Sequence, residues 1–110
     1  MQLLLKKLQL LLFLLVNVCI IAQESASILG VATDLDSGEA ILFATVVLYQ
    51  NDVLVRGTET DFDGVYKFEG LSPGIYDVEI NYLGLKDVRK SNQNIESGDN
   101  FIDFEMEEDD

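Results

Sequence analysis

The chain has 110 residues, enough for one domain, with 20 acidic residues, seven basic residues and no histidine. This negative charge argues against nucleic-acid binding, because phosphate contacts depend on Lys and Arg releasing counterions, and it argues equally against attraction to an anionic membrane surface. The missing histidine excludes imidazole-based zinc sites and Ser-His-Asp nucleophile activation.

Residues 1–22 have the organisation of a secretory signal peptide. Lys6 and Lys7 precede an apolar run of about 14 residues, and the small Ala22 is followed by polar residues. We therefore predict cleavage after Ala22, with Ile20 larger than the residue usually found at the −3 position. The alternative is an uncleaved membrane anchor, but the run is shorter than the roughly 20 residues that a spanning helix needs.

The only cysteine, Cys19, lies inside this segment. Lipidation of Cys19 is an alternative to simple cleavage, although Val18 is bulkier than the small residue that such processing prefers. Without the segment the chain has no cysteine, so its stability must come from a packed core rather than from a disulfide. Five basic residues then stand against 20 acidic ones, which gives a formal charge of −15.

Beyond a short linker at 23–27, apolar residues recur with a period of two, which predicts β-strands. In Ile75 to Tyr82, the residues Tyr76, Val78, Ile80 and Tyr82 share one face and are expected in the core. Ala44 to Tyr49 is more uniformly apolar, which predicts a central strand. About seven strands are predicted: Ile28 to Thr33, Ala44 to Tyr49, Val53 to Thr60, one around Tyr66 and Phe68, Ile75 to Tyr82, Lys86 to Ile95, and one around Ile102, Phe104 and Met106.

Short turn segments separate these strands. Asp61-Phe62-Asp63-Gly64 predicts a β-hairpin, because Asp63 and Gly64 tolerate the positive φ that a tight hairpin requires. The other predicted turns are Asp36-Ser37-Gly38, Gln50-Asn51-Asp52, Leu71-Ser72-Pro73-Gly74, Gly84 and Ser97-Gly98-Asp99. Strands with one apolar and one polar face are typical of antiparallel sheets packed as a sandwich.

Four blocks of residues occur together in a characteristic order. They are Ile28-Leu29-Gly30 with Thr33-Asp34 and Ser37-Gly38-Glu39, then Ala44 to Leu48, then Thr60 to Tyr66, and finally Leu71 to Tyr76 with Tyr82-Leu83-Gly84. Over about residues 27–107 they resemble the carboxypeptidase regulatory-like domain, especially the version at the start of many outer-membrane TonB-dependent receptors. The resemblance implies an all-β, seven-stranded Greek-key sandwich of the transthyretin type over 28–107, followed by an acidic end at 108–110.

The resemblance also implies an accessory role without a peptidase centre. This sequence departs from the family pattern at Ala32, Ala40, Leu42 and Leu85, which affects packing and loop stiffness rather than the fold. In the receptors, a TonB-box segment, a plug and a barrel follow this domain. The chain is therefore expected to be either a stand-alone module or a fragment of a longer gene.

Calcium binding is one possible role for the acidic turns. If Gly64 is placed at position six of a calcium loop, Glu59, Asp61 and Asp63 occupy positions one, three and five. Position twelve, which requires a bidentate Glu, is Gly70, so turn formation is the favoured interpretation. Asp34-x-Asp36-x-Gly38 also lacks the later ligand. We predict no metal-binding, cofactor-binding or catalytic residue.

Two other site types depend on which side chains are buried. Paired carboxylates are the remaining catalytic set, but one of them must be buried to raise its pKa, and here the acids fall on polar faces or in turns. Sugar platforms favour exposed aromatic rings, and the chain has no Trp. With Tyr66, Tyr76 and Tyr82 assigned to the core, Tyr49 and Phe62 remain as candidate surface rings, and packing of Phe62 against a neighbouring loop is the alternative.

Seven acidic residues and no basic residue fall within Asp99 to Asp110. This segment is either a solvated strand edge with a frayed end or an acidic docking tail for a basic partner. Together the observations predict a non-catalytic, exported accessory module that contacts another protein of the bacterial cell envelope, in the periplasm, at the outer membrane or after secretion. The alternative is a small module that binds carbohydrate or calcium.

Overall fold

The computed structural model describes residues 1–10 and 24–109. Residues 2–10 are helical, at the start of the predicted signal peptide. The predicted cleavage site after Ala22 and the cysteine Cys19 lie outside the described residues. Within the two described ranges, no helix is both long and apolar enough to cross a membrane.

Residues 24–109 fold as an all-β sandwich of two packed sheets. One sheet has the order β4-β1-β7, with β8 also paired to β1, and the other has the order β3-β2-β5-β6. The predicted central position of the second strand is confirmed, since β2 lies between β3 and β5. The strands are β1 (Ala26–Asp34), β2 (Thr45–Gln50), β3 (Val53–Glu59), β4 (Val65–Leu71), β5 (Gly74–Asn81), β6 (Val88–Ile95), β7 (Gly98–Phe101) and β8 (Phe104–Met106).

The predicted count of seven strands is wrong, because an additional strand, β7, begins at Gly98, within the predicted turn Ser97-Gly98-Asp99. The last predicted strand corresponds to β8. Both pair with β1 in parallel, so the expected antiparallel arrangement is wrong for these two strands, whereas the other strand pairs are antiparallel. At the junction, Ile102 N donates to Leu29 O at 2.8 Å, and Val31 N donates to Oδ1 of Asp103 at 2.9 Å. Because a side-chain carboxylate replaces a backbone acceptor there, the regular ladder is interrupted between the two strands.

The segment Asp61 to Gly64 forms a tight turn, but the predicted hairpin is wrong because β3 and β4 belong to different sheets. Oδ1 of Asp61 accepts hydrogen bonds from the backbone N–H groups of Asp63 and Val65, each at 2.9 Å. Gly64 has a φ of 76° and its carbonyl accepts from Ala32 N at 2.8 Å. The turn is therefore a corner that joins the two sheets and is held against β1.

The connection between β2 and β3 is a true two-residue hairpin. Gln50 pairs with Val53, and the intervening Asn51 and Asp52 have φ values of 52° and 61°. Two consecutive positive φ angles define a type I′ turn, whose twist matches that of the flanking strands. Asn and Asp tolerate this conformation better than most residues. The residues of the turn themselves therefore explain why it was predicted correctly from the sequence.

The apolar core lies between the two sheets, and all of its buried residues fall within residues 26–106. The predicted burial of Tyr66 and Tyr76 is confirmed, whereas the predicted burial of Tyr82 is wrong. β5 ends at Asn81, so the alternation that placed Tyr82 in the core stops one residue earlier. Residues 23–110 thus contain every buried apolar contact of the described sandwich, and this segment has the core of an independently folding domain.

Candidate functional site: the loop end of the sandwich

Three loops and the C-terminal segment meet at one end of the sandwich, which we call the loop end. It consists of residues 35–44, 60–64, 82–87 and 107–109. Thr45 at the start of β2 pairs with Glu59 at the end of β3 and with Asn81 at the end of β5. The register therefore brings the loops that adjoin these strands to the same end. Two shallow grooves lie there, and Tyr82, Leu83, Gly84 and Leu85 line both.

Thr60 fixes the shape of the first two loops. Its side chain is almost completely buried, and its hydroxyl donates to Ile41 O at 2.6 Å and accepts from Ala44 N at 2.9 Å. The carbonyl of Thr60 also accepts from Phe43 N at 3.0 Å. These three bonds span residues 41–44, so a single buried side chain and its backbone determine the path of the loop before β2.

Phe43 and Phe62 form an exposed aromatic pair on this support. Phe43 has a φ of 58°, which is uncommon for a residue with a large side chain and turns the ring outward from the loop. The two ring centroids lie 5.0 Å apart, and the ring planes meet at 80°, in an edge-to-face arrangement. Both rings remain exposed. Phe62 therefore agrees with both interpretations of the sequence, because its ring is exposed at the surface and also contacts Phe43 of a neighbouring loop.

The loop after β5 adds two further exposed side chains. Leu85 N donates to Tyr82 O at 3.1 Å, and Gly84 takes a φ of 89°, so the chain turns tightly at Leu83. Leu83 is 98% exposed and Tyr82 is also exposed, while Leu85 packs against the core. Exposing a leucine this completely gains nothing in folding. A contiguous exposed apolar patch of this kind marks an interaction site more often than isolated apolar residues do.

The C-terminal segment is attached to this loop, so its predicted fraying is wrong for residues 107–109. Lys86 N donates to Glu107 O at 2.9 Å, Asp109 N donates to Gly84 O at 3.1 Å, and Leu85 forms a β-bridge with Glu108. An ion pair of 3.5 Å joins Lys86 Nζ to Oε1 of Glu107. Asp110 lies outside the described residues.

Carboxylates surround the apolar side chains of the loop end. Those that line the two grooves are Asp34, Glu39, Asp87, Glu108 and Asp109. The backbone N–H groups of Ser37 and Asp36 hold the pKa of Asp34 below its ordinary value. A carboxylate stabilised in this way stays ionised and cannot act as a general acid near neutral pH. The loop end therefore has an apolar tip surrounded by a rim of negatively charged side chains.

Two of the carboxylates that the sequence singled out as possible ligands accept hydrogen bonds within their own turns. Oδ1 of Asp34 and Oδ1 of Asp61 each accept two backbone N–H groups, so these oxygens serve the turns in which they lie. In residues 1–10 and 24–109, no group of three His, Cys, Asp or Glu side chains has an arrangement suited to a metal ion.

The two candidate surface rings, Tyr49 and Phe62, lie at opposite ends of the second sheet, because Tyr49 pairs with Leu54 near the β2–β3 hairpin. The Arg89 guanidinium carbon lies 4.4 Å from the centroid of the Tyr49 ring and covers one face of it. Phe62 instead has Phe43 and the Tyr82–Leu83 loop at its own end. Sequence reasoning missed Phe43 and Leu83, although Leu83 next to Gly84 was a visible signal for a turn.

A family model of the carboxypeptidase regulatory-like domain matches residues 27–107. The chain belongs to this family. Comparison with curated proteins finds no match. Because the match runs from residue 27 to residue 107, all of the loop end except Glu108 and Asp109 lies within the carboxypeptidase regulatory-like domain.

Three bacterial proteins have solved structures with a similar fold. A candidate carbohydrate-binding protein from Bacteroides uniformis is 21% identical, with 74% of this chain and 40% of that chain covered and a TM-score of 0.62. The minor pilin GBS52 of Streptococcus agalactiae is 14% identical, with 80% and 46% covered and a TM-score of 0.57. The major pilin BcpA of Bacillus cereus is 15% identical, with 78% and 31% covered and a TM-score of 0.59.

These identities establish similarity of fold alone. The chain spans less than half the length of each of these three proteins. It therefore corresponds to one domain-sized part of each. Within the carboxypeptidase regulatory-like family, function must be argued from the surface of this particular domain rather than from its fold.

Proposed function

We propose that this carboxypeptidase regulatory-like domain is a non-catalytic interaction module of the bacterial cell envelope. It is exported after removal of residues 1–22, acts in the periplasm, at the outer membrane or outside the cell, and binds another envelope protein through its loop end. The observation that carries the proposal is the exposed apolar tip formed by Phe43, Phe62, Tyr82 and Leu83.

The tip has the composition of the centre of a protein interface. Such centres are enriched in aromatic and large apolar residues, and a surrounding rim excludes water from them. Here Thr60 and the Gly84 turn hold the tip in place, so little conformational entropy is lost when a partner binds. The support for a non-enzyme is that the Asp34 carboxylate accepts hydrogen bonds within its own turn and that the other groove-lining carboxylates are exposed.

The surrounding charge defines the chemistry of the partner. Lys86 is the one basic side chain in residues 82–87 and 107–109, and it is paired with Glu107. The other carboxylates at the loop end are left to attract a partner surface that carries Lys or Arg around an apolar recess. This deepens the docking hypothesis for the acidic tail, since Glu108 and Asp109 are part of that rim.

The test is a photo-crosslinking experiment in the native organism. A photoreactive amino acid is placed at Leu83 in the full chain, and adducts are separated from the envelope fraction after irradiation. We expect one discrete protein adduct, which Phe62→Ser reduces strongly. The matched control is the same photoreactive residue at Ile75, which is also exposed but lies on β5, away from the loop end. Equal adducts from both positions, or none from position 83, would contradict the proposal.

A second candidate function is carbohydrate binding. The observation that favours it is the presence of three exposed rings, Phe43, Phe62 and Tyr82, beside carboxylates that can accept hydrogen bonds from sugar hydroxyls. The fold likeness to a candidate carbohydrate-binding protein points in the same direction. Glycan-array binding by residues 23–110 that is lost in Phe62→Ala and kept in Ile75→Ala would replace the protein-partner proposal with this one.

A further inference from the structure

Strand β3 is an edge strand whose side chains are exposed on both faces. It ends the order β3-β2-β5-β6, and among its residues Val53 to Glu59 only Thr58 is half-buried. Val53, Leu54 and Val55 are all exposed, and they lie at the end of the strand away from Thr60. At about 3.3 Å per residue, Leu54 is roughly 20 Å from the loop end. β3 is therefore a separate surface.

Two other edge strands, β6 and β4, carry features that protect an edge from pairing with another chain. β6 has Arg89, Lys90 and an irregular register near Asn92, whose φ is 56°. β4 has an ion pair between Lys67 and Glu69. Inserted charges and bulges of this kind discourage strand addition. Val53 to Val55 has no charged side chain, and its one irregularity is the register shift opposite Leu48 and Tyr49.

The charge around β3 defines which strand fits. Asp52 precedes the apolar segment, Glu59 is the last residue of the strand and Asp61 follows it, and all three residues are exposed. The one basic residue of β3, Arg56, points its guanidinium to the carbonyl oxygen of Glu69 on β4. A second copy of this chain is a poor occupant, because each copy of residues 23–110 has a formal charge of −15.

We propose that β3 accepts an extended segment of the partner protein by strand addition, with apolar side chains opposite Val53 to Val55 and Lys or Arg at both ends of the segment. In this mode, backbone hydrogen bonds along the edge supply affinity and alternate side chains supply specificity. The proposal rests on the proposed function as an interaction module, but it uses a different surface from the loop end.

The test uses residues 23–110 and two synthetic peptides with blocked ends, both of alternating Val and Thr, one with Lys at each end and one with Glu. We expect the Lys peptide to bind and to slow amide hydrogen exchange in residues 53–59. The Glu peptide is expected to bind roughly tenfold more weakly or worse. Leu54→Lys is expected to weaken the Lys peptide by a similar factor. Ile75→Lys is the matched control, since Ile75 is 59% exposed on a central strand and Leu54 is 61% exposed on the edge.

Three results would overturn the proposal. Exchange in residues 53–59 that does not respond to the Lys peptide would exclude strand addition at this edge. An equal loss of affinity for the Lys peptide in Leu54→Lys and Ile75→Lys would show that added positive charge weakens binding wherever it is placed. Dimers in sedimentation, with residues 53–59 protected before any peptide is added, would make a second copy the occupant. Leu83→Asp changes the loop end and should leave binding of the Lys peptide to β3 unchanged. A loss of partner crosslinking at the loop end can therefore be told apart from a loss of peptide binding at β3.

Discussion

The hydroxyl of Tyr66 donates a 2.5 Å hydrogen bond to the carbonyl oxygen of Ile102, in the interior of the sandwich. Tyr66 lies on β4, and Ile102 lies at the junction of β7 and β8, so the bond reaches across β1 between the two edges of the first sheet. Burial of the phenol raises its pKa, with a smaller contribution from Asp103, so the hydroxyl keeps its proton. This bond secures the place where the parallel ladder is interrupted.

Tyr66→Phe tests that bond. The variant keeps the ring contacts with Phe68 and Phe104 but leaves the buried Ile102 carbonyl without this donor. We expect a loss of about 1–2 kcal/mol in the free energy of unfolding, measured by urea denaturation of residues 23–110. Tyr82→Phe is the control, because the Tyr82 side chain is exposed and its loss of a hydroxyl should change stability little. Equal free energies of unfolding for Tyr66→Phe and the parent protein would show that the bond adds no net stability.

Gly30→Ala tests the close packing beneath the same bond. A Cβ atom at position 30 would lie 1.8 Å from the Ile102 oxygen and 2.6 Å from a ring carbon of Tyr66. Backbone on one side and a buried ring on the other leave no room, so we expect a loss of about 3 kcal/mol or failure to fold. Gly57→Ala is the control, since its nearest neighbour is 3.8 Å away. Circular dichroism and thermal melting of both variants decide between the two outcomes.

Thr60→Val tests the support of the loop end. Valine has nearly the same shape but cannot donate to Ile41 O or accept from Ala44 N, so two buried backbone groups lose their partner. We expect a loss of about 2–4 kcal/mol in unfolding free energy. Hydrogen exchange should become faster in residues 41–44 before it does so elsewhere. Thr45→Val, at an exposed position, should match the parent protein, and equal behaviour of the two variants would refute the role given to Thr60.

Asp77→Asn tests a pH-dependent contribution at the irregular part of β6. Asn92 N donates to Oδ1 of Asp77 at 2.9 Å and Arg89 donates to Oδ2, and in that order they lower the pKa of Asp77 from its ordinary 3.8. A lowered pKa stabilises the fold above the ordinary value, and the stabilisation is lost as pH falls through the folded-state pKa. The stability difference between parent and variant should therefore be full near about pH 7 and shrink as the pH falls below 3.8.

The matched control for this pH profile is Asp87→Asn. It removes the same charge, and among the described residues the Asp87 carboxylate forms no ion pair. Denaturant midpoints across the pH range should then separate Asp77 from a general effect of net charge. A parent-to-variant difference that stays constant down to the lowest pH would contradict the assignment.

Added salt should stabilise the domain. Fifteen net negative charges in residues 23–110 repel one another, and the described ion pairs are few and mostly exposed. Raising the concentration of NaCl shortens the range of this repulsion, so the melting temperature should rise between about 0.01 M and 0.5 M salt. A fall in melting temperature over that range would mean that the ion pairs outweigh the repulsion. Chloride and acetate should act alike, which separates screening from specific anion binding.

The strands and turns could be predicted from the sequence because neighbouring residues determine them. The period of two in Ile75 to Asn81 identifies a strand wherever it pairs, and an Asp at the first position of Asp61 to Gly64 supports a turn in either a hairpin or a corner. The choice between these two depends on a distant contact: the corner between sheets requires Ala32 N to bind Gly64 O, 32 residues away in sequence. The hairpin prediction was wrong for that reason.

The candidate site was harder to predict from the sequence than the fold. The outward position of Phe43 follows from a positive φ that buried hydrogen bonds to Thr60 enforce, and nothing in residues 41–44 marks it in advance. Tyr82 has the right spacing for the core and differs from Ile80 only in lying beyond the end of β5. Periodicity describes the interior of a strand well and says little about its last residue.

The position of β1 in the middle of its sheet also governs how the chain can acquire its structure. Its two neighbours, β4 and β7, come from the middle and the end of the sequence, so β1 waits for residues synthesised about 70 positions later. One side of β1 therefore stays without its neighbouring strand until the final segment of the chain is available to fold. Completion of the first sheet therefore depends on the last residues of the domain, and a chain shortened before β7 should leave one edge of β1 unpaired.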